Sequence, residues 1–515
     1  MELLDGILCI VAACLLAALA YKKLTENYGF WKKQNVPFVP PIPVVGSMEW
    51  KTMNKPLQEI ESEWYNRYGR VYGRFEATNP VLSVGDPEIL KSVLSTDFQM
   101  FPNRRDMKFH DPVMDNTLFI LEGDAWSRVR NIVSPAFTTS KLKRMFPLLN
   151  ECSDLIVDRF DEVKNKPEGI NCQELYSGFV LSAIARCAFG MNISAIRDPK
   201  NVFVEKSNKL FYECFQWRSC LTVLFPALMK IFRLKLLNPE TTDFYRNTII
   251  QVLEERKKLN LIRDDFLQMM IDAEDANNNG ADTICEKGSC KVNTEPRLEK
   301  KGLTHDEMLS QSVTFFIAGF DATTSLLSHV TYRLAMHQDY QEMVVEELKT
   351  ALNNHNGEMC YDVLTEMKFL NAMIHECLRM CPAMVRHERR AEQDYLIQSR
   401  RVYLKKGTIV SIPVYAMHHD PQWYPEPEVF KPERFYPEEL RPFARYNYLP
   451  FGNGKRMCVG MRFVHMQVKL CIAKLLMKFQ ILPAPSTSKT LEFNESRNVL
   501  RVNQVQVCLR ERQLC

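Results

Sequence analysis

The chain has 515 residues, 46% of them hydrophobic, so it can bury a large core, and length alone suggests two to four domains. A formal net charge of +4 is too mild to argue for a nucleic-acid partner. Sixteen cysteines without a paired framework fit a reducing compartment, and neither Cys377 with Cys381 nor Cys285 with Cys290 has the neighbours that would complete a zinc site.

The first element is an apolar run over residues 6–20, extendable back to Leu3 and long enough to cross a thin bilayer with some tilt. The short core and the Ala18-Leu-Ala20 stretch also suit a cleaved signal peptide. Glu2 and Asp5 ahead of the run, with Lys22 and Lys23 behind it, favour an uncleaved anchor over residues 1–22 with the body of the chain in the cytosol. Residues 23–46 are basic and then proline-rich, which predicts a semi-rigid, extended hinge before the body at 47–515.

Alternation over residues 71–75 and 81–84 predicts a small sheet, and residues 87–353 read as mostly helical. Trp126 and Arg130 lie four apart on one such helix and share a face. Residues 221–229 form a short apolar stretch broken by Pro226, which fits core packing or a second membrane contact beside a lipophilic entrance. Residues 272–301 are polar, contain Asn277-Asn-Asn-Gly280 and lack apolar periodicity, which predicts an exposed, mobile loop. Thr304-His-Asp-Glu307 is a capping box that starts a long apolar helix over residues 309–337. Glu376 and Arg379 are opposite charges three apart on a helix, and residues 395–412 form a second β-like region around Lys405-Lys-Gly407.

The most informative segment follows, Phe451-Gly-Asn-Gly-Lys-Arg-Met-Cys-Val-Gly460, which places Cys458 in a glycine-permissive loop immediately before an apolar helix. At a helix N-terminus the unsatisfied N–H groups and the positive dipole end favour an anion, which lowers a thiol pKa toward the thiolate. A thiolate held this way is a nucleophile or a metal ligand.

Phe451, Gly454, Arg456, Cys458 and Gly460 reproduce the Phe-x-x-Gly-x-Arg-x-Cys-x-Gly signature, and from about Pro37 onward the chain resembles the cytochrome P-450 superfamily. Tyr415-Ala-Met-His418, Phe430-Lys-Pro-Glu-Arg-Phe435 and Gly460-Met-Arg-Phe463 look most like the vertebrate family 3 and arthropod family 6 detoxification branch. The resemblance implies a predominantly α haem-thiolate fold with a minor β region, built as one large catalytic domain. It makes Cys458 the axial ligand of haem b (iron protoporphyrin IX), a ligand type that favours O–O cleavage. It also turns Arg105, Trp126, Arg130, Arg389 and Arg456 toward the haem propionates, for which Arg is the best suited partner. Glu376, Arg379 and Arg434 become a buried charge-paired lock that secures haem retention.

The stretch Ala318-Gly-Phe-Asp-Ala-Thr-Thr324 corresponds to the oxygen-activation helix of that family, where Gly319 would relieve packing and an acid followed by an alcohol usually relays protons. Asp321 supplies the acid, but the alcohol position is Ala322, and a methyl cannot donate a hydrogen bond. Water or a substrate hydroxyl supplies the donor, or Thr323 reaches in through a local distortion, or the reaction does not need that proton. Substrate contacts are expected from Phe101 and the residues up to Leu121, from Leu210 and Phe211 in the 210–225 stretch, from Phe315, Phe316 and Ala318, and from Ala383, Met384 and Val385.

The leading reading is an endoplasmic reticulum monooxygenase of xenobiotics, steroids or fatty acids. Electrons would come from NADPH through the flavins of NADPH-cytochrome P-450 reductase, with cytochrome b5 as a second candidate donor and the lipid bilayer as a further partner. Lys141, Lys143, Arg144, Lys455 and Lys469 would dock the acidic reductase surface. A reductase-independent isomerase or dehydratase of an oxygenated lipid would make Ala322 unsurprising, and a non-catalytic haem sensor is the third reading.

Overall fold

The structure, a computed structural model, describes residues 2–48, 55–198, 200–214, 231–233, 235, 237–285, 302–436, 444–493 and 499–512. It is predominantly helical with a minor β region. α1 (Glu2–Thr25) spans about 36 Å at the helical rise per residue and holds Ile7, Ile10, Val11, Leu15, Leu16 and Leu19 exposed.

The segment expected to be a semi-rigid, extended hinge is docked on a sheet. Val39 donates to Gly73 O at 2.9 Å, Gly73 to Pro37 O at 2.8 Å, and Ser47 to Phe75 O at 2.8 Å. Trp31 lies fully buried against Gly73, where any Cβ would come within 2.3 Å of the indole. Prolines stiffen this segment, but Trp31, Val36 and Val39 bury enough apolar surface to bind it to the body.

β1 (Val71–Glu76) and β2 (Asn79–Val84) pair antiparallel where the alternation predicts strands. Their sheet has the order β1-β2-β7-β4, with β2 parallel to β7 (Ile409–Ile412) and β4 (His387–Arg390) antiparallel to β7. β3 (Ile170–Asn171), β8 (Phe479–Pro483) and β9 (Gln506–Glu511) form a second sheet in the order β3-β9-β8. β5 (Tyr395–Ile397) and β6 (Val402–Leu404) make a separate hairpin.

The helical body contains α2 (Leu57–Tyr68), α3 (Gly123–Val133), α4 (Thr139–Val163), α5 (Cys172–Phe189), α6 (Val202–Cys214) and α7 (Pro239–Leu259). It continues with α8 (Phe266–Cys285), α9 (His305–Met336), α10 (Gln338–Asn354), α11 (Lys368–Met380) and α12 (Met461–Lys478). α9 starts at the expected capping box: Glu307 N donates to Thr304 Oγ1 at 3.2 Å, and Thr304 N to Glu307 Oε2 at 2.9 Å. Leu309, Val313, Phe316, Phe320 and Leu327 of α9 are fully buried, which makes it the central helix.

The polar stretch after Asp272 departs from expectation, because α8 continues through Asn277-Asn-Asn-Gly280 to Cys285. Phe266, Leu267 and Met270 pin the first turns into the core, and extending a nucleated helix through asparagine costs only tenths of a kcal/mol per residue. The remainder of the expected loop, 286–301, lies outside the described residues, as does the apolar stretch 221–229.

Candidate active site

The loop before α12 is shaped by two glycines in the left-handed region, Gly452 at φ 71° and Gly454 at φ 75°. A Cβ on Gly454 would stand 1.9 Å from the Leu94 carbonyl oxygen, so only glycine fits. Met457 N donates to Gly454 O at 3.0 Å and Cys458 N to Phe451 O at 2.9 Å, which closes the loop and presents the Cys458 thiol. Cys458 is exposed, whereas Cys152, Cys172, Cys187, Cys377, Cys381 and Cys471 are buried and inert.

The expected lowering of the Cys458 pKa is only half realised. The surrounding protein raises it by desolvation, and this outweighs the N–H groups of Gly460 and Met461 and the charges of Arg130 and Arg104, all of which favour the thiolate. The net direction is therefore up; coordination to a cation would reverse it.

Arg104 and Arg130 carry the charges that act on this sulfur, and Arg456 and Arg389 lie beside Arg104. Arg130 follows Trp126 by one turn on α3, and Arg456 lies over the Trp126 ring at 4.2 Å. Arg456 donates from Nε to Pro102 O at 2.8 Å and from Nη2 to Leu121 O at 2.9 Å, while its Nη1 is buried without a partner. Arg389 is buried on β4, donates to Glu388 O at 2.8 Å, and leaves Nε unpartnered. Burial pushes the Arg389 guanidinium pKa well below its usual value, and the charges of Arg104 and Arg456 push the same way. Burial likewise lowers Arg456 to about 9 and Arg104 to about 10.

Arg105 does not join this group. Its Nη1 meets Glu76 Oε2 at 2.6 Å, and its Nε and Nη2 meet the Glu388 carboxylate at 2.9 and 3.0 Å, which leaves it charge-satisfied. Arg104 takes the place expected of Arg105, with Cys458 and Arg130 as its charged neighbours. Sequence reasoning could not separate two adjacent arginines whose difference lies in partners from distant strands.

Such a group of partly desolvated cations with orphaned donors fits a buried dicarboxylate above a metal-binding thiolate, and the haem expected from the sequence has that donor-acceptor pattern. Behind the loop, Arg379 donates from Nε and Nη2 to the Glu376 carboxylate at 2.8 and 2.9 Å, both side chains fully buried. Arg434 Nε approaches Glu376 Oε1 at 3.5 Å, and Lys431 N donates to the same oxygen at 3.0 Å. Both arginines expected in the lock therefore meet at Glu376.

On α9, Ala318 is exposed between the half-buried Ile317 and Gly319, and Ala322 lies one turn further along. Ala322 lines a cavity of about 10 Å³ with Ser325, His329 and Ala383. Asp321 is buried and pairs with Arg501 Nε at 3.0 Å; burial raises its pKa and Arg501 opposes this. Gly319 faces α5, where a Cβ would come within 2.8 Å of Ile184 Cδ1, so it serves close helix packing. Thr323 and Thr324 are buried and α9 is unbroken from His305 to Met336, so the local distortion invoked for Thr323 is not seen.

Several expected substrate contacts are core residues instead. Phe316 is fully buried and stacked on Phe189 at 4.6 Å, and Phe315 packs on Phe266 at 3.8 Å and Phe137 at 5.4 Å. Phe101 is fully buried against Tyr395 at 4.9 Å in the core beside the first sheet. Val385 is also buried, whereas Ala383 and Met384 are half-buried. The side chains of Leu210 and Phe211 lie outside the described residues. A separate apolar cluster joins Phe109, Met114, Ile120 and Met107, all inside the expected 101–121 stretch, to Leu237 and Ile317, which were not expected. The signal for Ile317 was its place next to Ala318, whereas nothing local marked Leu237.

Of the basic residues expected at a docking face, Lys141 and Arg144 pair with Asp264 and Lys143 with Asp362, all at the surface. Lys469 is not available, because it is buried, donates to Leu364 O at 2.9 Å, and has its pKa lowered by burial to about 8.

A family model described as Cytochrome P450 matches residues 36–509. Curated relatives include cytochrome P450 3A2 of Rattus norvegicus, 33% identical over 492 residues that cover 94% of this chain and 93% of the relative. Cytochrome P450 3A11 of Mus musculus is 33% identical over 92% of this chain and 91% of its own length, and cytochrome P450 3A31 of Mesocricetus auratus is 34% identical over 91% and 90%. With the presented thiol, the arginine cluster and the helical fold on the same footing, the chain belongs to the cytochrome P450 family.

Proposed function

We propose that this haem-thiolate monooxygenase is held at the endoplasmic reticulum membrane by α1, faces the cytosol, and oxidises large lipophilic compounds such as xenobiotics, steroids and fatty acids. Exposed apolar side chains along α1, with Lys22 and Lys23 in its last turn, support an anchor. Electrons reach it from NADPH through a flavin-containing reductase; cytochrome b5 is a further candidate donor. The observation that carries this reading is Cys458, the exposed loop cysteine among the described residues, with Arg104 and Arg130 acting on its sulfur and the adjoining Arg389 and Arg456 each keeping an unpartnered donor.

Bound haem supplies activation of O2 at a thiolate-ligated iron. Cys458 would hold that iron, and the Gly460 and Met461 N–H groups stabilise charge on its sulfur. Arg104, Arg130, Arg389 and Arg456, with Trp126, would receive the two propionates. Ala318 is an exposed methyl on α9, and the preceding Ile317 packs on the apolar cluster of Phe109, Met114 and Ile120. Asp321 stands as the acid near that surface. Ala322 has no proton to give, so the donor at that point is water or a substrate hydroxyl. Ala322 alone favours rearrangement chemistry, and one position is outweighed by a family match across the chain.

Product formation from a lipophilic substrate is expected to require both NADPH with reductase and O2. Product from a lipid peroxide without NADPH would overturn the reading in favour of rearrangement.

A further inference from the structure

Residues 500–502 form a clasp on the central helix. Leu500 N donates to Ala383 O at 3.0 Å, and Val502 N donates to Ser325 Oγ at 3.0 Å. Arg501 sits between these two anchored residues, so its backbone is fixed from both sides. Its Nε lies 3.0 Å from Asp321 Oδ1, one turn before Ser325 on α9, and its Nη2 donates to Asn208 Oδ1 on α6 at 3.0 Å. Three parts of the chain far apart in sequence therefore meet at one guanidinium.

The charge environment makes this contact decisive. Asp321 is almost fully buried, and desolvation favours its neutral form. Among the described residues, Arg501 is the one charged group that acts on it. α5 presents Ile184 to the adjacent Gly319, and the α6 lysines Lys206 and Lys209 are turned to Glu240. Ala322 gives this acid no adjacent hydroxyl, and Arg501 reaches the carboxylate from outside the helix as an ion pair.

We propose that Arg501 is a positioning residue for proton delivery, holding the Asp321 carboxylate ionised and oriented and tying it to α6 through Asn208. Arg501 does not itself meet the reacting atoms; it sets the state of Asp321, the acid of α9. The inference rests on the oxygen-activating role of α9 given above. Its consequence is that the state of the acid depends on α6, the helix on which Leu210 and Phe211 lie.

The test uses the holoenzyme labelled with 13C at the aspartate side-chain carboxyl, and reads the protonated-carboxyl infrared band as the difference from Asp321→Asn. In the wild type that band is expected to be absent at pH 7. Arg501→Gln is expected to reveal it at pH 7 and to raise the peroxide formed per NADPH several-fold, with Arg501→Lys restoring both. No band in Arg501→Gln at any pH down to 6 would overturn the proposal. Should Arg501→Gln not retain pigment, Asn208→Ala carries the same test, because it leaves the ion pair in place: the band is expected to appear at a higher pH than in the wild type, and an unchanged titration contradicts the coupling to α6. The infrared arm reads the carboxyl whether or not substrate turns over, so a failure of the oxygenase reading leaves its outcome distinct.

Discussion

Arg104 and Arg105 are adjacent in the chain but serve opposite electrostatic environments. Arg105 is closed on both edges by Glu76 and Glu388, whereas Arg104 faces Cys458 and shares its surroundings with Arg130. Arg104→Ala is expected to lower the haem-to-protein ratio of the purified enzyme several-fold with a small change in the unfolding midpoint of the remaining holoprotein. Arg105→Ala takes the shared guanidinium from Glu76 and Glu388, which keep Arg74 and Arg386, and should cost about 3 kcal/mol, the low end for a broken buried pair. Absorbance ratios and denaturant unfolding separate the two, and the reverse pattern would contradict the assignment.

The lock behind the loop makes a stability prediction. Glu376 accepts two hydrogen bonds from Arg379, one from Lys431 N, and the approach of Arg434, and it is fully buried. Glu376→Ala strands the buried Arg379 charge, so a loss of about 3–5 kcal/mol is expected, with pigment released at lower denaturant than in the wild type. A change below about 1 kcal/mol, the range of an exposed pair, would mean the lock is ornamental.

Acid stability follows from a pair of histidines on the thiolate side. His375 and His465 have ring centroids 5.0 Å apart, and burial holds His375 at about 4 and His465 at about 3. Both values lie below the unfolded value near 6.5, so the unfolded state binds protons first as pH falls. Stability is then fully present above pH 6.5 and is lost as pH drops toward the folded values. Between pH 7 and pH 5 each histidine costs of the order of 2 kcal/mol. His465→Leu should shrink the difference in urea midpoint between these two pH values; an unchanged difference would show that His465 titrates normally.

Ala322→Thr restores a hydroxyl beside Asp321, next to a cavity of about 10 Å³ that Ala322 lines. The fraction of NADPH electrons recovered in product is expected to rise, with less peroxide. Unchanged coupling would show that water already meets the need or that no proton is needed there.

Much of this architecture was legible in the sequence, and the reasons differ by element. The capping box at Thr304 and the alternation at Val71 and Val81 are local signals whose hydrogen-bond partners lie within a few residues, and α9, β1 and β2 form there. The glycine-permissive loop around Cys458 was legible because Gly454 answers a contact that leaves no room for a Cβ. The polar run after Asp272 misled because its helix is carried by Phe266, Leu267 and Met270 upstream. The hinge misled because Trp31 packs on Gly73, a partner that composition cannot reveal. Arg105 and Lys469 failed for one reason: charge identifies a residue type, while Glu76, Glu388 and the Leu364 carbonyl decide where it points.

The most direct measurement is the absorbance of the ferrous carbon monoxide adduct of the wild type and of Cys458→Ser. The wild type should show the strongly red-shifted Soret band of a thiolate-ligated haem, and the serine variant should lose it whether or not pigment is retained. A red-shifted band that survives in Cys458→Ser would place the ligand elsewhere and contradict every role assigned around this sulfur.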